Sequence, residues 1–185
     1  LPIAIDQVEK PTRKTFYSFS GSHSALSSLC EPTITITENA THGPEEITCS
    51  SLEHILDELE LQDAEVIGVV KTDCQGSDLA VIKSLGKYLQ KVRLIKSEWS
   101  TGTAYNTCDS ADHNAEKLER FLNSHAFQLT YFDDTDVIFH NSHCPILNAD
   151  FKVFYERQTK GQKKSNLLDL PSRQFNDLLP GGSIQ

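Results

Sequence analysis

Residues 69–79 constrain the fold of this chain more than any other segment. They begin as an apolar run that ends in Asp73, pass through Gln75 and Gly76, and then take on a helical pattern. A buried strand that runs straight into polar residues and a helix is typical of a parallel α/β sheet, which binds its ligands at the carboxyl ends of the strands. No glycine-rich turn between a strand and a helix occurs upstream, so the usual cofactor cradle is not visible in the sequence.

The length and composition fit one globular domain. A chain of 185 residues, 38% of them apolar, can bury a sizeable core. No apolar run approaches the roughly 20 residues that a membrane-spanning helix needs. The chain contains no Met, even at its start. We therefore expect a processed or excised piece of a longer protein, in which any targeting segment would precede residue 1, and we take the cytoplasm only as a default compartment.

The net charge argues against two classes of partner. The chain has 17 basic and 26 acidic residues, which gives a formal net charge of −9 at pH 7. Such an excess of acid disfavours nucleic acid and anionic membrane surfaces as main partners. We therefore expect no nucleic-acid partner and no transmembrane segment, and we leave the oligomeric state open.

The cysteines are widely spaced, odd in number and without CxxC pairs. This pattern disfavours both a disulfide framework and a structural zinc site. We expect reduced and mostly buried thiols at all five positions, which are Cys30, Cys49, Cys74, Cys108 and Cys144.

Hydrophobic periodicity divides most of the chain into strands and helices. Strands are predicted at residues 1–5, 15–19, 66–72, 92–99, 127–132 and 136–140, with further alternation at 33–37 and a possible last strand at 151–155. Helices are predicted at residues 52–59, 78–90 and 111–125. The first helix can be capped by Ser50 or Ser51, and the strand at 15–19 is expected at a sheet edge.

The order of these elements predicts an α/β fold. Strands and helices alternate in the middle of the chain, which favours a parallel sheet with right-handed crossovers. The apolar run at 66–72 is typical of a strand covered on both faces. The connection at 133–135 is too short for a crossover, so an antiparallel hairpin is expected to close the mostly parallel sheet. Residues 1–145 are predicted to form the domain, and residues 146–185 a polar, partly disordered C-terminal extension.

Residues 70–78, Val-Lys-Thr-Asp-Cys-Gln-Gly-Ser-Asp, resemble a family signature. The FkbM family of S-adenosylmethionine-dependent methyltransferases has Ile-Lys-Ile-Asp-Val-Glu/Gln-Gly-x-Glu/Asp at this place. Residues 47–56 are similar to the family's strand and helix before that signature, with Glu53 in place of the usual Asp. The strand that ends in Glu98 and the closing segment at 121–141 are also similar. The resemblance covers residues 47–141 well and residues 1–28 more loosely.

The resemblance implies a Rossmann-like methyltransferase sheet and an enzymatic activity. The cofactor would be S-adenosylmethionine, and the methyl group would go most readily to an oxygen of a small-molecule or glycan acceptor. On the family's layout, the glycine turn and the acidic residue that hold the methionine and ribose portions lie before Leu1. The N-terminal strands of the full fold are therefore expected to be missing here, and no cofactor-binding residue is assigned. The alternative is a non-catalytic α/β module that serves structure or partner binding.

The candidate catalytic residue is Asp73. At the carboxyl end of the central strand, its carboxylate can accept a proton from an acceptor hydroxyl or orient the acceptor. Alternatively, Asp73 caps the helix that begins near Ser77 or pairs with Lys71. Gln75 can hydrogen-bond to the acceptor or the cofactor, and Gly76 permits a tight turn with a close approach of the backbone.

Two further candidate site residues lie at the end of the next predicted strand. Glu98 ends that strand and can pair with Lys71, either as a structural ion pair or as a lining of the site. Trp99 can line an acceptor pocket or belong to the core. Asp78 is expected to complement the helix dipole.

No metal site is predicted. Asp residues in the 133–136 turn suit turn geometry, the mixed ligands at 108–113 are explained by a helix cap, and the group at 140–144 lacks a fourth ligand.

Overall fold

Two mixed β-sheets with accompanying helices make up the fold. A computed structural model describes residues 3–19, 24, 26–32, 44–63, 66–98, 115–132 and 136–144. Within these residues lie seven strands and three α-helices. The α/β class expected from the sequence is therefore confirmed. The alternating segment at 33–37, the possible strand at 151–155 and the extension 146–185 lie outside the described residues.

The first sheet has three strands in the order β1-β3-β2, where β1 is Ile3–Ile5, β2 is Thr12–Tyr17 and β3 is Pro44–Ser50. The β1 and β3 strands are parallel, whereas β2 and β3 are antiparallel. The predicted strand at 15–19 begins three residues earlier than expected, and it does lie at a sheet edge. Its last residue, Tyr17, forms an isolated antiparallel bridge with Ser28.

The second sheet has four strands in the order β4-β5-β7-β6. They are β4 (Ile67–Thr72), β5 (Val92–Glu98), β6 (Phe127–Phe132) and β7 (Asp136–Asn141). The pair β4–β5 is parallel and the other two pairs are antiparallel, which confirms the closing hairpin. The prediction of a mostly parallel sheet is wrong for the described residues, because the hairpin contributes two of the three pairings.

The β4 strand is at an edge of its sheet. Its apolar sequence predicts cover on both faces, yet Val69 is 41% exposed and Val66, just before the strand, is also exposed. The prediction of cover on both faces is wrong for Val69, because apolar composition does not determine whether other elements pack over both faces of a strand. Within the part of the chain that the structure describes, β5 is the strand that pairs with β4.

Helix α1 (Leu52–Glu58) starts where the sequence predicts. The hydroxyl of Ser51 accepts a hydrogen bond from the backbone N–H of His54 at 3.2 Å, so Ser51 is the N-cap. Helix α3 (Ala115–Ser124) lies inside the predicted helix 111–125. None of the helices in the described residues is long and apolar enough to cross a lipid bilayer.

Helix α2 (Asp78–Lys83) is shorter than the predicted helix at 78–90. It gives way to a 3₁₀-helix at Gly86–Lys91. The break occurs because Gly86 has a φ of +49°, in the left-handed region. The apolar side chains of Leu85 and Leu89 are buried on both sides of the break, so the apolar spacing alone does not reveal it.

The core lies between the second sheet and helices α2 and α3. Burial of the apolar side chains of this core, which are listed below, is the main source of stability. Leu52 and Leu56 of α1 are partly buried and pack against the core. The buried cluster consists of Leu79, Ile82, Leu85, Tyr88, Leu89, Val92, Ile95, Leu118, Leu122, Phe127, Val137 and Phe139.

The cysteines do not all have the predicted state. Cys49, Cys74 and Cys144 are free, as expected. Cys30 is fully buried and disulfide-bonded. The prediction of a reduced thiol is therefore wrong for Cys30, because cysteines that are distant in sequence can be neighbours in the fold.

Candidate functional site

The candidate site lies at the carboxyl ends of β4 and β5. These strands are parallel neighbours, with Thr72 opposite Ser97 in the register. The Thr72 hydroxyl donates a buried hydrogen bond of 2.9 Å to the Ser97 hydroxyl, which fastens the two strand ends together. Asp73 follows β4 directly and Glu98 ends β5, so the register places the two carboxyl groups side by side.

Gln75 connects the two carboxyl groups. Its side-chain amide donates to Glu98 Oε2 at 3.0 Å and to Asp73 Oδ1 at 3.2 Å. The two carboxyl groups also influence each other's ionisation, since each contributes to the pKa shift of the other.

Lys71 provides the positive charge beside the pair. Its ammonium group donates to Asp73 Oδ2 at 2.9 Å. The predicted pairing of Lys71 with Glu98 is wrong, because residues two apart on an extended strand point to the same side. The pairing with Asp73, which the sequence left open, is the one observed.

The two carboxyl groups have opposite pKa shifts. The hydrogen bond from Lys71, followed by the one with Glu98, lowers the pKa of Asp73 below its ordinary value. Burial, followed by the hydrogen bond and the negative charge of Asp73, raises the pKa of Glu98 to about 7. Asp73 is therefore charged at neutral pH, whereas Glu98 exchanges its proton near neutrality.

A tight turn links Asp73 to helix α2. Gln75 and Gly76 both have left-handed backbone conformations, with φ of +47° and +103°. The Asp78 carboxylate accepts from the backbone N–H of Cys74 at 3.3 Å and of Gly76 at 3.4 Å. Asp78 thus closes the turn, a role that the sequence reasoning missed, and burial raises its pKa. The sequence signal that could have indicated this role is the position of Asp78, five residues after Asp73, which directly follows β4.

A distant segment also contacts this turn. The Ser28 hydroxyl donates to the Gln75 carbonyl oxygen at 2.9 Å, and Cys30 Sγ lies 3.4 Å from the Ser77 hydroxyl. Both contacts join residues that are 47 positions apart. No local pattern in the sequence indicates them, and Ser28 was not among the predicted site residues.

The structure brings together four of the five predicted site residues: Asp73, Gln75, Gly76 and Glu98. The fifth, Trp99, lies outside the described residues. On the far side of Glu98, Asp136 at the start of β7 is opposite it in the register. The site is therefore rich in acidic groups, and it suits a ligand that donates a proton or carries positive charge.

A separate polar groove of about 560 Å³ lies elsewhere in the molecule. It is formed by the segment after β1, by helix α1 and by the end of α2. Its lining includes Gln7, Glu9, His54 and Lys83, and none of the predicted site residues.

Comparisons of the chain with protein-family models, with curated proteins and with solved structures gave no match.

Proposed function

We propose that the chain is part of an S-adenosylmethionine-dependent methyltransferase of the FkbM type, with a Rossmann-like sheet, that methylates an oxygen of a small-molecule or glycan acceptor. The observation that carries the proposal is the pair Asp73–Glu98 at the carboxyl ends of two parallel strands. The resemblance of residues 70–78 to the family signature supports it. Fold class alone would not, because one α/β architecture serves many functions.

The pair suits the removal of a proton from a hydroxyl group. Methyl transfer to oxygen leaves a proton on that oxygen, and a carboxylate within hydrogen-bond reach accelerates the reaction by accepting it. Asp73 is charged and about half exposed, so an acceptor can reach it. Glu98 releases and takes up a proton near pH 7. In this proposal Asp73 contacts the hydroxyl and the two carboxyl groups share the proton.

The site fits only one end of the cofactor. S-adenosylmethionine supplies the methyl group from a positively charged sulfonium centre, which negative side chains favour. The acidic groups around Glu98 meet that requirement. For the methionine and ribose portions, the described residues contain no glycine-rich turn between a strand and a helix. We therefore assign no cofactor-binding residue.

The first test is the binding of S-adenosylhomocysteine, measured by calorimetry, to the longest natural chain that contains these residues, after circular dichroism has shown that this chain is folded. Saturable binding near one molecule per chain is the expected result. A matched variant, Glu119→Gln, changes an exposed carboxylate on helix α3 and is expected to bind equally well. A folded chain that binds no S-adenosylhomocysteine would contradict the proposal for these residues.

A second candidate function is a non-catalytic α/β module that binds a partner. The observation that favours it is the position of β4 at the edge of its sheet among the described strands, together with the exposed side chains of Val69 and, just before the strand, Val66. Strand edges of this kind pair readily with an additional strand. This candidate predicts a folded chain without affinity for S-adenosylhomocysteine, the outcome that would contradict the enzyme.

A further inference from the structure

Ser28 lies beside the end of β2 and is held there by several hydrogen bonds. It is only 2% exposed. Its backbone N–H and carbonyl both hydrogen-bond to Tyr17, at 3.0 and 2.8 Å. Its hydroxyl accepts from the N–H of Cys30 at 2.9 Å and donates to the carbonyl of Gln75 at 2.9 Å. Ser28 therefore connects the end of β2 to the turn beside the carboxyl pair through hydrogen bonds.

Cys30 contacts the same turn two residues further on. Its sulfur lies against the Ser77 hydroxyl in a fully buried position. Cys30 is also disulfide-bonded, which restricts the movement of its sulfur. Ser28 and Cys30 thus hold the turn on both sides of Gly76. We call residues 28–30 the clamp.

The turn needs an external support. The left-handed region is unfavourable for a residue other than glycine, and Gln75 is such a residue, with φ of +47°. Its carbonyl has a buried partner in Ser28, while its side chain connects Asp73 to Glu98. A movement of the Gln75 backbone would therefore move the amide away from the pair.

We propose that the clamp positions Gln75 between Asp73 and Glu98, and that the disulfide of Cys30 makes this positioning dependent on redox conditions. A dithiol reductant would supply two electrons and two protons, convert the disulfide to two thiols and itself become a disulfide. The clamp would then be held by its hydrogen bonds alone. The importance of the clamp for methyl transfer rests on the proposed function, whereas its effect on the pair does not.

The titration of Glu98 provides a direct measure of how Gln75 is positioned in the Asp73–Glu98 pair. Four charged groups face Glu98: Lys71 in β4, Asp73 just after β4, Asp78 at the start of α2 and Asp136 at the start of β7. All four are present in every variant described next. A change in the titration would therefore report the geometry of the pair and the access of water to it.

The test is a ¹³C NMR titration of the Glu98 carboxyl group in the 185-residue chain, with the signal identified from the Glu98→Gln variant. Ser28→Ala is expected to shift the midpoint towards the ordinary range of glutamate, because a looser turn admits water to the pair. Ser27→Ala is the matched control: Ser27 bonds to Phe19 and Ser24 but not to the turn. It should leave the midpoint unchanged.

Reduction of the wild-type chain provides the second measurement. Added dithiol should shift the same midpoint and should speed hydrogen exchange of the amides at 74–77 by about tenfold, with little effect on β7. If Ser28→Ala does not fold, the Glu98 midpoint and the amide exchange of the reduced wild-type chain test the proposal. An unchanged Glu98 midpoint in folded Ser28→Ala, or unchanged exchange at 74–77 after reduction, would overturn the proposal. Neither result depends on the binding of S-adenosylhomocysteine, so the clamp and the enzymatic proposal fail separately.

Discussion

Lys96 and Asp136 form an ion pair across two antiparallel strands, with Nζ and Oδ2 2.9 Å apart. The Lys96 side chain is 10% exposed, so removal of the negative charge would leave a nearly buried ammonium group without full compensation. We expect Asp136→Asn to lower the free energy of unfolding by about 2 kcal/mol, measured by urea denaturation. The exposed pair His54–Glu58 is the control, and Glu58→Gln should cost less than about 0.5 kcal/mol. Equal effects of the two changes would contradict this account.

Glu98 is expected to make stability depend on pH between about 4.5 and 7. Its pKa rises from 4.5 to about 7 in the folded chain, so the folded state binds the proton more tightly than the unfolded state. The resulting stabilisation is fully present below pH 4.5 and is lost as the pH rises through 7. Asp73, whose pKa is lowered, acts in a different and more acidic range.

The variant Glu98→Gln should therefore flatten the curve of stability against pH in that range. At pH 8 it should be more stable than the wild-type chain by about 1 kcal/mol, after allowance for solvent screening. Urea denaturation at pH 5, 6, 7 and 8 measures both effects. A wild-type curve without a decline from pH 5 to 8 would show that Glu98 titrates in its ordinary range.

Asp73 can be tested in the longest natural chain that contains these residues. Under the proposed function, Asp73→Ala should lower methyl transfer by at least about 100-fold, since the carboxylate accepts the proton. The affinity for S-adenosylhomocysteine should change little. Radiolabelled methyl transfer and calorimetry give the two quantities, with Glu119→Gln as the control. Unchanged turnover would remove Asp73 from the mechanism.

Two glycines give a matched test of backbone constraint. Gly86 has a left-handed φ, and an added Cβ would overlap the Glu53 carboxyl group. We expect Gly86→Ala to destabilise the chain by about 1–3 kcal/mol. Gly68 in β4 has no atom within 4 Å of an added Cβ, so Gly68→Ala should be neutral or slightly stabilising. The double variant Glu53→Ala with Gly86→Ala should recover part of the loss, and a thermal melt suffices to rank the variants.

The elements that the sequence predicted well are those set by local side-chain spacing. Helix α1 has an apolar stripe and a serine cap, and the hairpin of β6 and β7 follows from the short connection between its strands. The helix predicted at 78–90 was wrong in its length because one backbone angle, at Gly86, breaks it without disturbing the apolar spacing. The local pattern of side chains therefore predicts whether a segment is a helix or a strand better than it predicts the residue at which the element ends.

Features that depend on distant contacts were less predictable. The meeting of Asp73 with Glu98 follows from their places at the ends of successive strands, so the sequence could indicate it. The contact between Ser28 and Gln75, the disulfide of Cys30 and the exposed edge of β4 depend on packing between segments that are distant in the chain. Periodicity carries no information about such pairings.

The position of β7 between β5 and β6 also determines when the second sheet can form. During synthesis β6 emerges before β7, yet β6 has its pairing with β7 and none with β5 among the described strands. The nascent sheet therefore remains in two pieces until residue 141 has left the ribosome, and the buried residues Val137 and Phe139 are absent from the core until then. Pairing between sequence-distant strands is slow to form. We therefore expect this half of the molecule to fold only after β7 has been synthesised, with the apolar residues of β5 needing protection until then.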